Sequence, residues 1–251
     1  MKSIRTVPEL RGALRSHSDV GLVPTMGAFH EGHLSLIRAA RAESELVVVS
    51  LFVNPAQFAE AADLDAYPRD EQRDAQVAEA EGVDVLFAPS VEELYPAGFQ
   101  TWVEVEELSR GLEGDFRRGH FRGVATVCLK LFNIVRPDVA YFGRKDAQQL
   151  AVIKQLVRDF DLELEIHAVE TVRDDDGLAL SSRNVRLSPA ERRRALAIPR
   201  ALATRDPDRA REILVTAGVD PDYVAVADLD GPTLAVAARI GSTRLIDNVL
   251  L

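Results

Sequence analysis

Along the first two thirds of the chain, short continuous apolar runs alternate with longer stretches in which apolar positions recur every three or four residues. The runs occupy residues 21–25, 45–53, 83–89, 138–143 and 162–169. A β-branched run without polar alternation, such as Leu46, Val47, Val48 and Val49, reads as a strand covered on both faces, the environment of a parallel sheet. Helical spacing fills the intervals: residues 7–15, about 33–41, from the polar segment 63–70 to about 81, 124–135, and about 144–160. Gly82 closes the third of these helices. Strands and helices alternating at this spacing predict βαβ units. Residues 100–105 alternate and predict an edge strand, whereas residues 1–5 lead into a polar helical stretch.

The pattern changes beyond about residue 172. Ser188 and Pro189 are an N-cap and a favoured first helical residue, opening a charged helix with Glu191, Arg192, Arg193 and Arg194. A second helix enters at Asp206 and Pro207 and runs to about Ala217. Residues 223–227 and 233–240 read as short strands, with Arg244, Leu245, Ile246, Asp247 and Asn248 at the end. The expected fold class is α/β: a Rossmann-like parallel-sheet domain over residues 1–172, then a small α+β C-terminal domain over 173–251.

Composition bounds the function classes. With 251 residues, 47% apolar and 28% charged, the chain can bury a sizeable core. Its formal net charge of −10 argues against nucleic-acid and membrane partners, so an anionic ligand must be met by a local basic site. The single cysteine, Cys128, sits in an apolar helical pattern and reads as core. No apolar leader opens the chain and no run approaches membrane-spanning length, so a cytoplasmic protein is expected. The basic loop at residues 114–123 and the three aspartates at 174–176 have their simplest reading as solvated turns.

Candidate chemistry gathers at the ends of the runs. The first run ends in Pro24, Thr25, Met26, Gly27, Ala28 and Phe29, followed by His30 and His33 at the first turn of a helix. A helix start offers free N–H groups and a positive dipole end that hold phosphate. Imidazoles there add hydrogen bonds to phosphate oxygens whose charge builds up during transfer. The second run ends in Asn54, Pro55, Ala56 and Gln57, and the fourth in Arg144, Lys145, Asp146, Ala147, Gln148 and Gln149. In open α/β sheets this carboxyl edge is where ligands bind. A further group, Leu180, Ser181, Ser182 and Arg183, lies where the domains join. Taken singly, each has a plainer explanation. The histidines could be structural, or metal ligands without an obvious third partner; Lys145 a solvated lysine; Asp146 an N-cap; the serines turn caps.

Taken together, these stretches resemble the pantoate–β-alanine ligase family (pantothenate synthetases), which belongs among the nucleotidyltransferases with a His-x-Gly-His motif. The matching segments are residues 24–33, 52–58, 67–69, 120–124, 142–150 and 176–184, and the resemblance covers nearly the whole chain. It implies an ATP-dependent ligase that forms a pantoyl adenylate from pantoate and Mg-ATP and then passes the acyl group to β-alanine. It implies His33 as proton donor, with His30 and Lys145 as its catalytic neighbours. Met26, Gly27, Gly143, Asp146, Val172, Leu180, Ser181, Ser182 and Arg183 would complete the ATP site, Asp146 on the ribose. Pro24, Met26, Gln57 and Gln149 would hold pantoate, and Asp74 would lie near Mg2+. A homodimer is also implied.

Three positions depart from the family pattern: Arg144 where Glu is usual, Ala147 where an aromatic is usual, and Leu180 in place of Met. Leu for Met conserves volume, whereas Arg144 reverses a charge beside Lys145. The second domain is also shorter than the family's. Two other readings stay open on the residues: another transferase of the superfamily, which would not require Gln57 and Gln149, and a non-catalytic ATP-binding module.

Overall fold

The computed structural model describes residues Met1–Leu251. They form two compact units, Met1–Phe29 with His33–Phe142 and Ala151–Val169, and His30–Gly32 with Gly143–Leu150 and Glu170–Leu251. In chain order the first elements are β1 (Lys2–Ile4), α1 (Val7–Leu14), β2 (Val20–Thr25), α2 (Glu31–Glu43), β3 (Leu46–Leu51), α3 (Ala61–Asp65) and α4 (Glu71–Ala80). Then come β4 (Val85–Phe87), α5 (Val91–Leu94), α6 (Glu113–Phe116), α7 (His120–Val135), β5 (Val139–Gly143), α8 (Ala147–Asp159) and β6 (Glu165–Val169). Single 3-10 turns at Pro55–Gln57 and Arg144–Asp146 follow β3 and β5.

The six strands form one sheet in the order β1-β4-β3-β2-β5-β6. The pairings β1–β4, β3–β4, β2–β3 and β2–β5 are parallel, with β2 and β3 in register from Val20 opposite Leu46 to Thr25 opposite Leu51. Val47, Val48 and Val49 are fully buried, as expected of a strand covered on both faces. On one face Val23, Val47, Val49 and Tyr141 pack with Leu36, Ile37 and Ala40 of α2 and Ala78 of α4. Each such large aliphatic side chain contributes roughly 1.5–3 kcal/mol by leaving water. The strand order reverses between β2 and β5, and in doubly wound sheets the loops after such strands carry the ligand.

In the second unit α9 (Pro189–Ala195), α10 (Ala197–Leu202) and α11 (Pro207–Thr216) precede β7 (Pro221–Asp228), β8 (Pro232–Ile240) and β9 (Thr243–Leu250). The last three strands make an antiparallel sheet in chain order. Ala195, Ile198, Leu202 and Leu214 from the helices pack with Leu234, Val236, Ala238 and Leu245 from the strands. Ser188 and Glu191 close a reciprocal capping box on α9, and the Asp206 carboxylate accepts the N–H groups of Asp208 and Arg209 at the start of α11.

The structure corrects five sequence expectations. Residues 2–4 are an edge strand with only Ile4 buried, too short to show a pattern. Residues 100–105 are not a strand: the Val103 N–H donates to Thr126 Oγ1 at 3.0 Å, and Trp102 stacks on Tyr95. The basic stretch at 114–123 is no solvated turn, because α7 begins inside it and His120, Phe121 and Gly123 are buried. The charged helix after Ser188 is followed by a separate helix, α10, and the chain ends in a full strand, β9. Cys128, by contrast, is core as expected, and burial there pushes its thiol up to about 12.

Gly123 fixes how α7 meets the Pro55–Gln57 turn. A Cβ there would overlap the carbonyl of Ala56 and lie 2.7 Å from the Gln57 nitrogen, backbone atoms that cannot swing aside. Gly123→Ala is therefore expected to lower unfolding free energy by about 1–3 kcal/mol in a urea titration. A change within about 0.5 kcal/mol would show that the two elements are free to separate.

Candidate active site

The turn after β2 is held by α4. Gly27 and Ala28 lie at φ 83° and 54°, the left-handed region in which a non-glycine residue is strained. Asp74 accepts the Ala28 N–H at 2.7 Å and the Phe29 N–H at 2.9 Å, one on each oxygen, and is only 1% exposed. Its neighbour Arg73 donates to the Phe29 carbonyl at 3.3 Å. A Cβ at Gly27 would lie 2.6 Å from both Asp74 Oδ2 and Leu51 Cδ1, so only glycine admits the carboxylate. Thr25 anchors the start of the turn by donating to the Ser50 carbonyl at 2.6 Å. Pro24, opposite Ser50, stands beyond the β2–β5 pairing at Gly21 and Leu22 and so withholds no N–H from it. His33 packs its ring 5.6 Å from that of Phe29.

Gln57 is held from three sides. Its backbone carbonyl lies 2.8 Å from His120 Nδ1, and since a carbonyl only accepts, Nδ1 carries the proton and Nε2 faces Arg117 Nη1 at 3.1 Å. Its side-chain oxygen accepts from Asn54 Nδ2 at 3.0 Å. The Asn54 amide cannot be reversed: Nδ2 also donates to the Gly123 carbonyl at 3.1 Å, while Oδ1 accepts the Ala56 N–H at 3.3 Å and the Tyr95 hydroxyl at 3.0 Å. Burial raises the Tyr95 pKa, which keeps that hydroxyl a donor. The Gln57 Nε2 is thereby directed to Met26 Sδ at 3.0 Å, a weak acceptor. A cavity of about 320 Å³ in this unit is lined by Met26, Phe52, Leu64, Arg69, Asp74 and Val91 among others.

In the second unit, His30 Nδ1 accepts the Gly32 N–H at 3.1 Å, leaving the proton of the neutral ring on Nε2. Burial, and then the Lys145 ammonium, push the imidazole below its ordinary pKa, against smaller opposing effects of Asp146 and Asp174. Lys145, Ser181, Arg183, Arg244 and Asp247 are among the residues lining one cavity, so three cationic side chains, a hydroxyl and a carboxylate border the same space. Lys145 Nζ lies 3.8 Å from Asp146 Oδ2. Asn248 Nδ2 donates to the carbonyls of both Arg144 and Lys145 at 2.9 Å. Arg144 turns its charge to Asp230 at 3.0 Å and Glu170 at 2.9 Å, so the reversed charge is neutralised within the unit. Leu180 donates its N–H to the Val172 carbonyl at 3.0 Å, and Ser181 Oγ accepts the Arg183 N–H at 3.2 Å. Gly143, Gln149 and Ser182 are half-buried.

Met26, Gly27 and Gln57 thus share the first unit with Pro24, His33 and Asp74; His30, Gly143, Lys145, Asp146, Gln149, Val172, Leu180, Ser181, Ser182 and Arg183 share the second. Asp74 gives one lone pair of each oxygen to the turn, a structural role that needs no metal, and no group of three or more His, Cys, Asp or Glu side chains is arranged to hold a metal by itself. Sequence reasoning placed Asn54 at the strand end and His120 within a matching segment without giving either a role. It missed Tyr95 behind Asn54, Asp247 behind Arg173 and Asn248 behind Lys145, which carry no local signal.

A family model described as pantoate-beta-alanine ligase matches residues 2–250. A pantothenate synthetase of Heliobacterium modesticaldum is 50% identical, with 100% of this chain and 99% of the relative covered. Another from Acidobacterium capsulatum is 51% identical, covering 98% and 91%. Among solved structures, the pantothenate synthetase of Thermus thermophilus has a TM-score of 0.95 at 45% identity, with 99% of both chains covered. The pantoate-beta-alanine ligase of Francisella tularensis, complexed with beta-gamma ATP and beta-alanine, has a TM-score of 0.89 at 38% identity, covering 100% and 97%.

Two outcomes follow from the geometry. Asp74→Asn replaces an acceptor with a donor facing a backbone N–H, and is expected to cost roughly 1–3 kcal/mol of stability without any metal present. Unchanged stability, with activity restored by raised Mg2+, would instead make Asp74 a metal ligand. His30 has a depressed folded pKa, so the unfolded chain takes up its proton first as pH falls through the ordinary histidine range, and stability declines there. Unfolding titrations at pH 8 and pH 5.5 should show a smaller loss in His30→Gln than in the unsubstituted protein; equal losses would contradict the assignment.

Proposed function

Because the chain belongs to the pantoate-beta-alanine ligase family, we propose that it condenses pantoate with β-alanine, using ATP, through a pantoyl adenylate. The pantoate carboxylate oxygen attacks the α-phosphorus of Mg-ATP, and the bond to the bridging oxygen breaks to release pyrophosphate. The β-alanine amine then attacks the acyl carbon, loses a proton, and expels AMP to leave pantothenate.

The observation that carries this reading is the fixed amide of Gln57. Its Nε2 is presented beside Met26 to a weak sulfur acceptor, a place a carboxylate or hydroxyl oxygen fills better. Gln149 and Pro24 complete the pantoate contacts in this reading. Adenylation needs no protein nucleophile, since the substrate carboxylate attacks; it needs alignment and neutralisation of charge on phosphorus and on the leaving pyrophosphate. Neutral His30, with the proton on Nε2, donates to a phosphate oxygen without the desolvation cost of a second buried cation beside Lys145. Lys145, Ser181, Ser182 and Arg183 take the remaining phosphate charge, and His33 serves as proton donor. Met26 and Gly27 lie along the phosphates, Gly143 and Asp146 along the ribose, and Val172 and Leu180 against the base.

Mg2+ enters with ATP as part of the substrate. In the same reading residues 1–172 bind nucleotide and pantoate, residues 173–251 form the lid domain, and the protein acts as a cytoplasmic homodimer. No helix is long and apolar enough to cross a membrane. The Francisella complex with an ATP ligand and beta-alanine supports the choice of substrates.

Pantoate-dependent exchange of labelled pyrophosphate into ATP tests the first step, and release of pantothenate and AMP on adding β-alanine tests the second. Removing one donor to the developing charge typically lowers rate by about 10²–10³, so His33→Ala and Lys145→Ala should be nearly silent in exchange while remaining folded. Near-normal exchange in either variant would remove that residue from the mechanism; no exchange in the unsubstituted protein would leave a binding module.

A further inference from the structure

Two adjacent residues of β9 hold both nucleotide loops of the second unit. On a strand, neighbouring side chains point to opposite faces, so a pair such as Asp247 and Asn248 reaches two partners at once. Asp247, only 3% exposed, receives both guanidinium nitrogens of Arg173, at 2.7 and 3.1 Å. Arg173 Nη1 also donates to the Gly177 carbonyl at 3.1 Å, across the turn of the small hairpin it begins. That hairpin closes through a bridge between Arg173 and Ala179, and through the Leu180 N–H on the Val172 carbonyl at 3.0 Å. Its second limb runs directly into Ser181, Ser182 and Arg183. Asn248 meanwhile spends both amide hydrogens on the carbonyls of Arg144 and Lys145, each at 2.9 Å. Its own N–H donates to Asp247 Oδ1 at 2.8 Å, so the two anchors are hydrogen-bonded to each other.

We propose that Asp247 and Asn248 are positioning residues that hold the Lys145 loop and the Ser181–Arg183 loop to one strand, setting the spacing of the groups that receive the nucleotide phosphates. The proposal rests on the reading of those two loops as the ATP site. A lysine on a four-carbon stem covers a wide volume unless its backbone is fixed, and a serine at a hairpin end moves with the limb that carries it. Asn248 removes the first freedom, and the ion pair between exposed Arg173 and buried Asp247 the second. Two opposing carbonyls at residues 144 and 145 need a group with two donors and no competing charge, which an amide supplies and a carboxylate cannot.

The test uses the full chain in pantoate-dependent pyrophosphate exchange, with Asn248→Asp, which keeps volume but loses both donors, and Asn248→Ala, which removes the amide. Exchange in the unsubstituted protein comes first; if that is absent, the ATP-site reading itself fails. Given exchange, folded variants with the KM for ATP raised roughly ten-fold, and the KM for pantoate within two-fold, support the proposal. Asn248→Asp should be the worse of the two, since it sets a carboxylate against two carbonyl oxygens. An unchanged KM for ATP, an equal rise in both KM values, a loss confined to kcat, or failure of both variants to fold would each overturn it.

Discussion

A buried carboxylate that accepts two consecutive backbone N–H groups is the constraint on which the turn after β2 depends. Gly27 and Ala28 both lie in the left-handed region, and for Ala28 that conformation costs about 1–2 kcal/mol. Asp74 offsets the cost, because hydrogen bonds to a charged group contribute roughly 1.5–3 kcal/mol each. The dependence runs both ways: without those two N–H groups, an almost fully buried carboxylate would be strongly unfavourable. The absence of a side chain at Gly27 is what lets the two come together. Arg73, one residue before Asp74 on α4, holds the next carbonyl, so one helix turn satisfies both polarities of the same loop.

The same device recurs at Gln57 and at His30. Asn54 is locked by two backbone groups and a tyrosine, and so dictates which end of the Gln57 amide faces Met26. Gly32 does the same for the His30 ring by donating to Nδ1. Adenylation suits such a site, since what accelerates it is donors already aimed at developing charge rather than a reactive side chain. The charge at Arg144 is met by Asp230 and Glu170 within the same unit. The compact second unit is not peculiar to this chain: the Thermus pantothenate synthetase is matched over 99% of both chains.

The α/β architecture was legible because β2, β3 and β5 are buried on both faces and write continuous apolar runs, while the helices between them are amphipathic. The errors have local causes. β1 buries one side chain and has no period to read. Residues 100–105 alternate, yet their N–H at Val103 is taken by a threonine of α7 rather than by a neighbouring strand. His120 stands among Arg117, Arg118 and Arg122, whose charge disguises a buried ring. β9 was obscured because its buried positions include Asp247, whose partner Arg173 is far away in sequence. The groups expected to touch substrate were visible as polar residues at strand ends, through their joint resemblance to a family. Those that orient them, Asp74, Tyr95, His120 and Asn248, act across long sequence separations that no spacing rule reports.

Adenylate formation requires the pantoate carboxylate to be the nucleophile at the α-phosphorus, so one of its oxygens must leave with AMP. Pantoate labelled with oxygen-18 in both carboxylate positions, consumed to completion with ATP and β-alanine, tests this by mass spectrometry of the products. One labelled oxygen in the AMP phosphate, none in pyrophosphate, and one retained in pantothenate is the predicted result. Label in pyrophosphate or inorganic phosphate, or AMP without label, would contradict it.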